Sequence, residues 1–298
     1  MLSDAPKIMV GTASWTDPTL VNSDLFYPSS LRTAEERLIF YAAHFPTVEV
    51  DASYYTLLSE RVAELWAQRT PPGFVFNVKA FAWLTQHPAD VRRLPVLIKQ
   101  MLPPQLKSAQ RIKNPPSEVL NIAFQMFWSS LEPLRKANKL GRILFQMPPY
   151  VTCKPSNMNY LASLPLRMQD AAIAVEFRHP SWTSDVRRRA ETLRFLREHD
   201  LAYVSIDAPP RTGLPLFIAT TADDAYIRFH GRNDASWFKR GVSPAERFKY
   251  LYSERELAEW AGRLQQLSGV RRAFAIFNNC YSNFGIMNAT TMREMLTR

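Results

Sequence analysis

Eight short runs rich in aliphatic and β-branched residues punctuate this 298-residue chain and constrain its fold more than any single motif. They are Ile8–Thr12, Thr47–Asp51, Phe74–Lys79, Arg142–Met147, Ala171–Arg178, Ala202–Asp207, Ala225–His230 and Ala273–Asn278. Helix-like stretches lie between most of them. Thr33 and Glu36 have capping-box spacing and lead into Arg37–Phe45, and Ser253 and Glu256 do the same for a helix ending near Gln266. Glu60–Arg69, Ser117–Lys139 and Asp185–His199 fill further gaps. Strand followed by helix, repeated, predicts an all-parallel α/β sheet. Eight such units in this length fit a TIM-type (β/α)8 barrel spanning residues 1–298 as a single domain. The link Ala208–Asp224 has little helical pattern and is the weakest unit. An open doubly wound sheet is the competing architecture.

Composition removes several function classes. There are only 9 glycines and no G-x-G, so the dinucleotide fingerprint and the Walker loop are both missing. No run of about 18 apolar residues exists to span a membrane, and Met1–Lys7 holds no apolar leader. Two cysteines, Cys153 and Cys280, make no disulfide framework, so a cytoplasmic setting is expected. Thirty-seven basic residues against 27 acidic ones give a formal charge of +10, which favours an anionic partner.

Alternation along the strands points to a site. Residues i and i+2 share a face. Glu49 and Asp51, Lys79, Glu176 and Arg178, Asp207, Arg228 and His230 each oppose an apolar face in their strand. If the apolar faces pack on helices, these charges look into the barrel. Acids and fixed bases then nearly balance, and burial demands that they pair. A purely structural ion-pair network is one reading. The other is functional: the charges lie towards the C-terminal ends of the strands, where barrels of this type build active sites.

The motifs Gly11-Thr-Ala-Ser-Trp15, Phe26-Tyr-Pro28, Val48-Glu49 with Tyr54-Tyr55, and Val78-Lys79-Ala80 occur in order along the chain. Gln146-Met-Pro-Pro149, Glu176-Phe-Arg178 with Ser181-Trp182, and Arg228-Phe-His-Gly-Arg232 follow. Tyr250-Leu-Tyr-Ser253 and Phe277-Asn-Asn279 with Asn288-Ala289 complete the set. Together they resemble the family labelled domain of unknown function 72, the YecE-like bacterial and archaeal proteins, from about Ile8 to Leu296. The resemblance implies a TIM-barrel-like fold and candidate positions but no reaction. Family members usually carry Gly where Ser14 stands, and many place Thr-His after the third strand, where this chain has Thr85-Gln86-His87.

The first functional expectation is an enzyme acting on a small anionic substrate, phosphorylated or sugar-like, at the C-terminal mouth. Glu176 or Asp207 would be the base and His230 the acid–base partner. Lys79, Arg178, Arg228 and Arg232 would hold the anion, with Glu49 and Asn278 completing the contacts. No cofactor motif exists. Mg or Mn would suit convergent carboxylates better than Zn. His87 and His179 precede prolines and read as exposed loop residues.

The second expectation is a nucleic-acid-binding barrel, a nuclease among its forms, and it draws on the stretch 84–116. Those 33 residues hold six prolines and six bases against Asp90 alone, a local +5. Such a stretch reads as a basic loop insertion after the third strand, either solvated or a lid. Together with Arg232, Lys239, Arg240 and Arg247 it would grip a phosphate backbone. A ligand-binding barrel without turnover is the third possibility. No membrane partner is expected.

Overall fold

The computed structural model describes residues 5–297; residues 1–4, on which part of the expectation for Met1–Lys7 falls, lie outside the described residues. All eight predicted strands form: β1 (Lys7–Ala13), β2 (Thr47–Val50), β3 (Val75–Lys79), β4 (Leu140–Gln146), β5 (Ile173–Glu176), β6 (Leu201–Asp207), β7 (Asp224–Phe229) and β8 (Arg272–Phe277). They follow one another in sequence order and close into a parallel barrel, so the (β/α)8 reading holds and the open sheet does not.

Helices follow the strands as α1 (Ala34–His44), α2 (Glu60–Gln68), α3 (Ser117–Ser130), α4 (Pro155–Ala162), α5 (Val186–Glu198), α6 (Glu254–Gln265) and α7 (Phe284–Thr297). After β6 the chain makes a 3-10 turn, Pro210–Thr212, in keeping with the weak pattern there. Both capping boxes form, Thr33 with Glu36 and Ser253 with Glu256. Such a cap stabilises a helix by about 1 kcal/mol. The single helix expected over Ser117–Lys139 is broken at Leu131, because Pro133 cannot donate to the ladder; Glu132–Lys136 starts anew.

Two compact units make up the chain: Met1–Glu49 with Pro180–Arg298, and Val50–His179. In the first, β2–β1–β8–β7–β6 are paired, and α7 packs on β1, β8 and α6. In the second, β3–β4–β5 are paired, and α2 packs on Glu132–Lys136 and α3.

The stretch 84–116 is not the bare loop that its prolines suggest. It carries a hairpin, Ala89–Asp90 with Arg111–Ile112, and short helices Val96–Met101 and Pro104–Lys107. Val91, Leu94, Ile98, Leu102 and Ile112 are buried beneath it, and burying an aliphatic side chain contributes about 1.5–3 kcal/mol. The Trp83 indole N–H donates to the Ile112 carbonyl at 2.7 Å, which fastens the hairpin to the start of the segment.

Candidate functional site

The register of unit one sorts the strand residues by face. Arg228 pairs with Ile276 and Ile206, and Phe229 pairs with Phe277 and Asp207. Laterally paired residues point to the same side. Arg228 meets Glu49 from β2, although β1 and β8 lie between their strands, so its side is the interior. Arg228 Nη2 donates to Glu49 Oε1 at 2.5 Å, and the Tyr226 hydroxyl donates to Oε2 at 2.7 Å. Both ions are 0% exposed. Burying a charge there without an opposite one would cost several kcal/mol, and this pairing offsets that cost.

Asp207 corrects the expectation. It shares the side of Phe229, whose ring packs on Trp260 of α6 at 5.0 Å, and this is the helix side. The apolar residues of β6, Val204 and Ile206, instead share the interior side with Tyr226 and Arg228. The physical reason lies in the partners. Asp207 accepts from Arg232 Nε at 2.8 Å, Arg232 Nη2 at 2.6 Å and Trp260 Nε1 at 2.6 Å. Arg232 also donates to Glu256 at 2.9 Å, and these carboxylates raise its pKa further, the Asp207 hydrogen bonds most of all. Asp207 and Arg232 therefore anchor the turn after β7 to α6. With its oxygens committed there, Asp207 is poorly disposed to act as a base.

Gly231 lies in that turn with φ +81°, and a Cβ there would sit 2.6 Å from Tyr250 Cβ. Its N–H donates to the Tyr252 hydroxyl at 2.9 Å. Only glycine meets both conditions.

His230 continues the interior side beyond β7 and is fully buried. The Asn278 amide donates to its Nδ1 at 2.8 Å, which puts the ring proton of the neutral form on Nε2. Trp237 and Phe248 lie with ring centroids 6.3 and 6.0 Å away. Ser14, where resembling sequences carry glycine, adopts φ 65° and donates its N–H to the Glu49 carbonyl at 2.8 Å.

In unit two, Lys79, Leu144 and Ala174 share one side, and Gln146 and Glu176 continue it. The other side of β3 carries Phe76, which stacks on Trp66 of α2 at 5.8 Å. Glu176 is fully buried and pairs with Arg178 Nε; Arg178 Nη2 donates to Gln146 Oε1 at 3.3 Å. The Lys79 ammonium lies 3.3 Å from Asp51 Oδ1 and 4.9 Å from the Tyr54 ring centroid. The Ser53 hydroxyl donates to the Lys79 carbonyl at 2.6 Å and fixes the strand end against the helical turn Ala52–Tyr55.

His87, expected to be an exposed loop residue, is half-buried beside this cluster. Its ring stands edge-on to Tyr54 at 5.3 Å. The Thr85 hydroxyl donates to the Ala82 carbonyl, so His87 Nδ1, 2.9 Å from the Thr85 hydroxyl oxygen, is the donor to it and Nε2 presents a lone pair. Burial pushes the His87 pKa down to about 4, and the charges of Lys79, Arg178 and Arg111 push the same way. The ring is neutral at pH 7. The family's Thr-His after the third strand points towards this position, but the burial and charge around the ring come also from Tyr54, Arg111 and Arg178 elsewhere in the chain. His179 is half-buried too.

Among the described residues, no group of three or more His, Cys, Asp or Glu converges to hold a metal ion. No described helix is long and apolar enough to cross a membrane.

Residues 9–298 match the family model described as Protein of unknown function DUF72. The chain is 31% identical over 296 residues to the UPF0759 protein YunF of Bacillus subtilis (strain 168), covering 97% of this chain and 94% of that one. The crystal structure of a DUF72 family protein from Thermotoga maritima MSB8 is similar with a TM-score of 0.77 and 32% identity, over 98% of this chain and 100% of that one. A DUF72 family protein from Enterococcus faecalis V583 shares the fold at a TM-score of 0.76 and 24% identity, over 98% and 96% of the two chains. On sequence over nearly its whole length, and on a barrel like those already solved for its relatives, this chain belongs to the DUF72 family.

Proposed function

We propose that this protein is an enzyme acting on a small anionic substrate, phosphorylated or sugar-like, at the C-terminal ends of the barrel strands. The observation that carries the reading is in the unit Val50–His179. There Lys79 and Arg178 stand at the ends of β3 and just past β5, and their charges, with that of Arg111, bear on a neutral His87. Lys79 and Arg178 bind the anion. Asp51 and Glu176 hold those two cations in place. The Nε2 lone pair of His87 takes a proton from the bound substrate and later returns it. A pKa of about 4 makes a weak base, held down first by burial and then by the nearby cations; an anion bound beside Lys79 and Arg178 offsets the second of these. Substrate thereby moves the group towards the range where acid–base catalysis is efficient. Unit one carries a second candidate set, His230 with Asn278 and Arg228 held by Glu49.

A thermal-shift screen of phosphorylated sugars, nucleotides and acidic metabolites tests the reading, followed by turnover assays on whatever stabilises the protein. Lys79→Ala with Arg178→Ala abolishes the stabilisation. His87→Gln keeps the ligand and loses about 10²–10⁴-fold in turnover. Stabilisation that survives the double substitution would sink the proposal.

A further inference from the structure

Within the unit Val50–His179, a pocket of about 290 Å³ opens between the turn Ala52–Tyr55 and the hairpin Ala89–Asp90 with Arg111–Ile112. That volume lies near the lower end for small-molecule sites. Tyr54 and Tyr55 form one wall, their rings perpendicular at 5.0 Å. Arg93 and Arg111 line the same pocket, and the Arg93 guanidinium lies 5.6 Å from the centroid of the Tyr55 ring.

The charge arrangement is lopsided. Asp90 is the acid in the pocket lining, and Arg92 already takes both of its oxygens, at 3.1 Å through Nε and 2.7 Å through Nη2. Among the described residues neither Arg93 nor Arg111 has a carboxylate within 4.0 Å; Arg111 donates one Nη2 bond, at 3.0 Å, to the Pro88 carbonyl. Two guanidinium groups without a counter-anion, on one pocket, favour a dianion with several acceptor oxygens. The walls are held before any ligand arrives. The Thr56 hydroxyl donates to the Arg93 carbonyl at 3.2 Å, and Trp83 holds Ile112. Tyr55 is 53% exposed, an aromatic surface next to the free guanidinium charge.

We infer that this pocket binds a phosphate monoester whose organic part has a flat face, the phosphate between Arg93 and Arg111 and the flat face on Tyr55. The inference rests on the anionic-substrate reading for the sign of the ligand's charge and adds its chemical class. Sugar phosphates and nucleoside monophosphates share this chemistry.

Calorimetric titration of the full chain with AMP, ribose 5-phosphate and inorganic phosphate tests it. At least one ester binds. Arg93→Ala weakens every phosphate compound by about tenfold or more, the loss typical of a charge-assisted hydrogen bond. Tyr55→Ala weakens the esters and leaves inorganic phosphate unchanged. Both side chains are exposed, and an unchanged Tm verifies that each variant folds. AMP binding more tightly than ribose 5-phosphate assigns the tyrosine to a base; equal affinities assign it to the sugar. Esters that fail to bind at about 10 mM, or affinities indifferent to both substitutions, overturn the inference. Binding lost in Lys79→Ala but untouched by Arg93→Ala and Tyr55→Ala overturns the pocket alone and leaves the enzyme reading standing. Binding that needs Arg93 and Tyr55, with Lys79 indifferent and no turnover, supports the pocket and removes the enzyme reading.

Discussion

Asp207 accepts a 2.6 Å hydrogen bond from the indole N–H of Trp260, so the last residue of β6 faces the helix layer. Removing its carboxylate leaves the indole without its acceptor and Arg232 with Glu256 alone. Asp207→Ala should therefore destabilise the protein by about 3–5 kcal/mol, the usual loss when one partner of a buried pair is deleted. Chemical denaturation measures it. Because the carboxylate takes no part in anion binding, a ligand's Kd at saturating folded protein should be unchanged.

Glu49 and Arg228 are fully buried against one another. Glu49→Gln removes the carboxylate charge 2.5 Å from the buried guanidinium and should cost about 3–5 kcal/mol, whereas Glu49→Gln with Arg228→Met should cost clearly less than the two single changes added together. Denaturant midpoints for the four proteins supply the cycle. Additive losses would show that the ions do not depend on one another.

Gly231→Ala forces a Cβ into a left-handed turn and against Tyr250. The expected loss is about 1–3 kcal/mol, read as a lower Tm. Tyr250 accompanies the loss, and its near-ultraviolet dichroism should change with it.

His87 links stability to pH. Its folded pKa is lowered to about 4 from the ordinary 6.5, so between these values the unfolded chain binds a proton that the folded chain refuses. Stability therefore rises with pH across that window and is lost as pH falls through it. His87→Gln should flatten this part of the stability–pH curve, measured by denaturation at fixed pH steps.

The strands were legible because buried parallel strands concentrate aliphatic residues, and both capping boxes because their chemistry is local. Faces were legible wherever an acid and a base met across the interior, as Glu49 and Arg228 do. They were not legible at β6. Alternation separates Ser205 and Asp207 from Val204 and Ile206 but does not say which pair turns inward. The answer came from Arg232 and Trp260, which lie 25 and 53 residues further on. The stretch 84–116 misled through its prolines, although Val91, Leu94, Ile98 and Leu102 recur at three- and four-residue spacing and bury one side of it. His87 was not legible because its character depends on burial and on Arg111 and Arg178, which lie 24 and 91 residues further on, as well as on nearby Lys79.

The central claim is that an anion sits beside Lys79 and Arg178 and changes the chemistry of His87. Histidine-labelled protein titrated from pH 3 to 8, roughly the span around the His87 and free-imidazole values, reads it directly by NMR. Without ligand, the His87 resonance should titrate near 4. With saturating phosphate or a phosphate ester, its midpoint should move up towards 6.5, and Lys79→Ala should abolish the ligand's effect. A His87 midpoint indifferent to every anion offered would contradict the account.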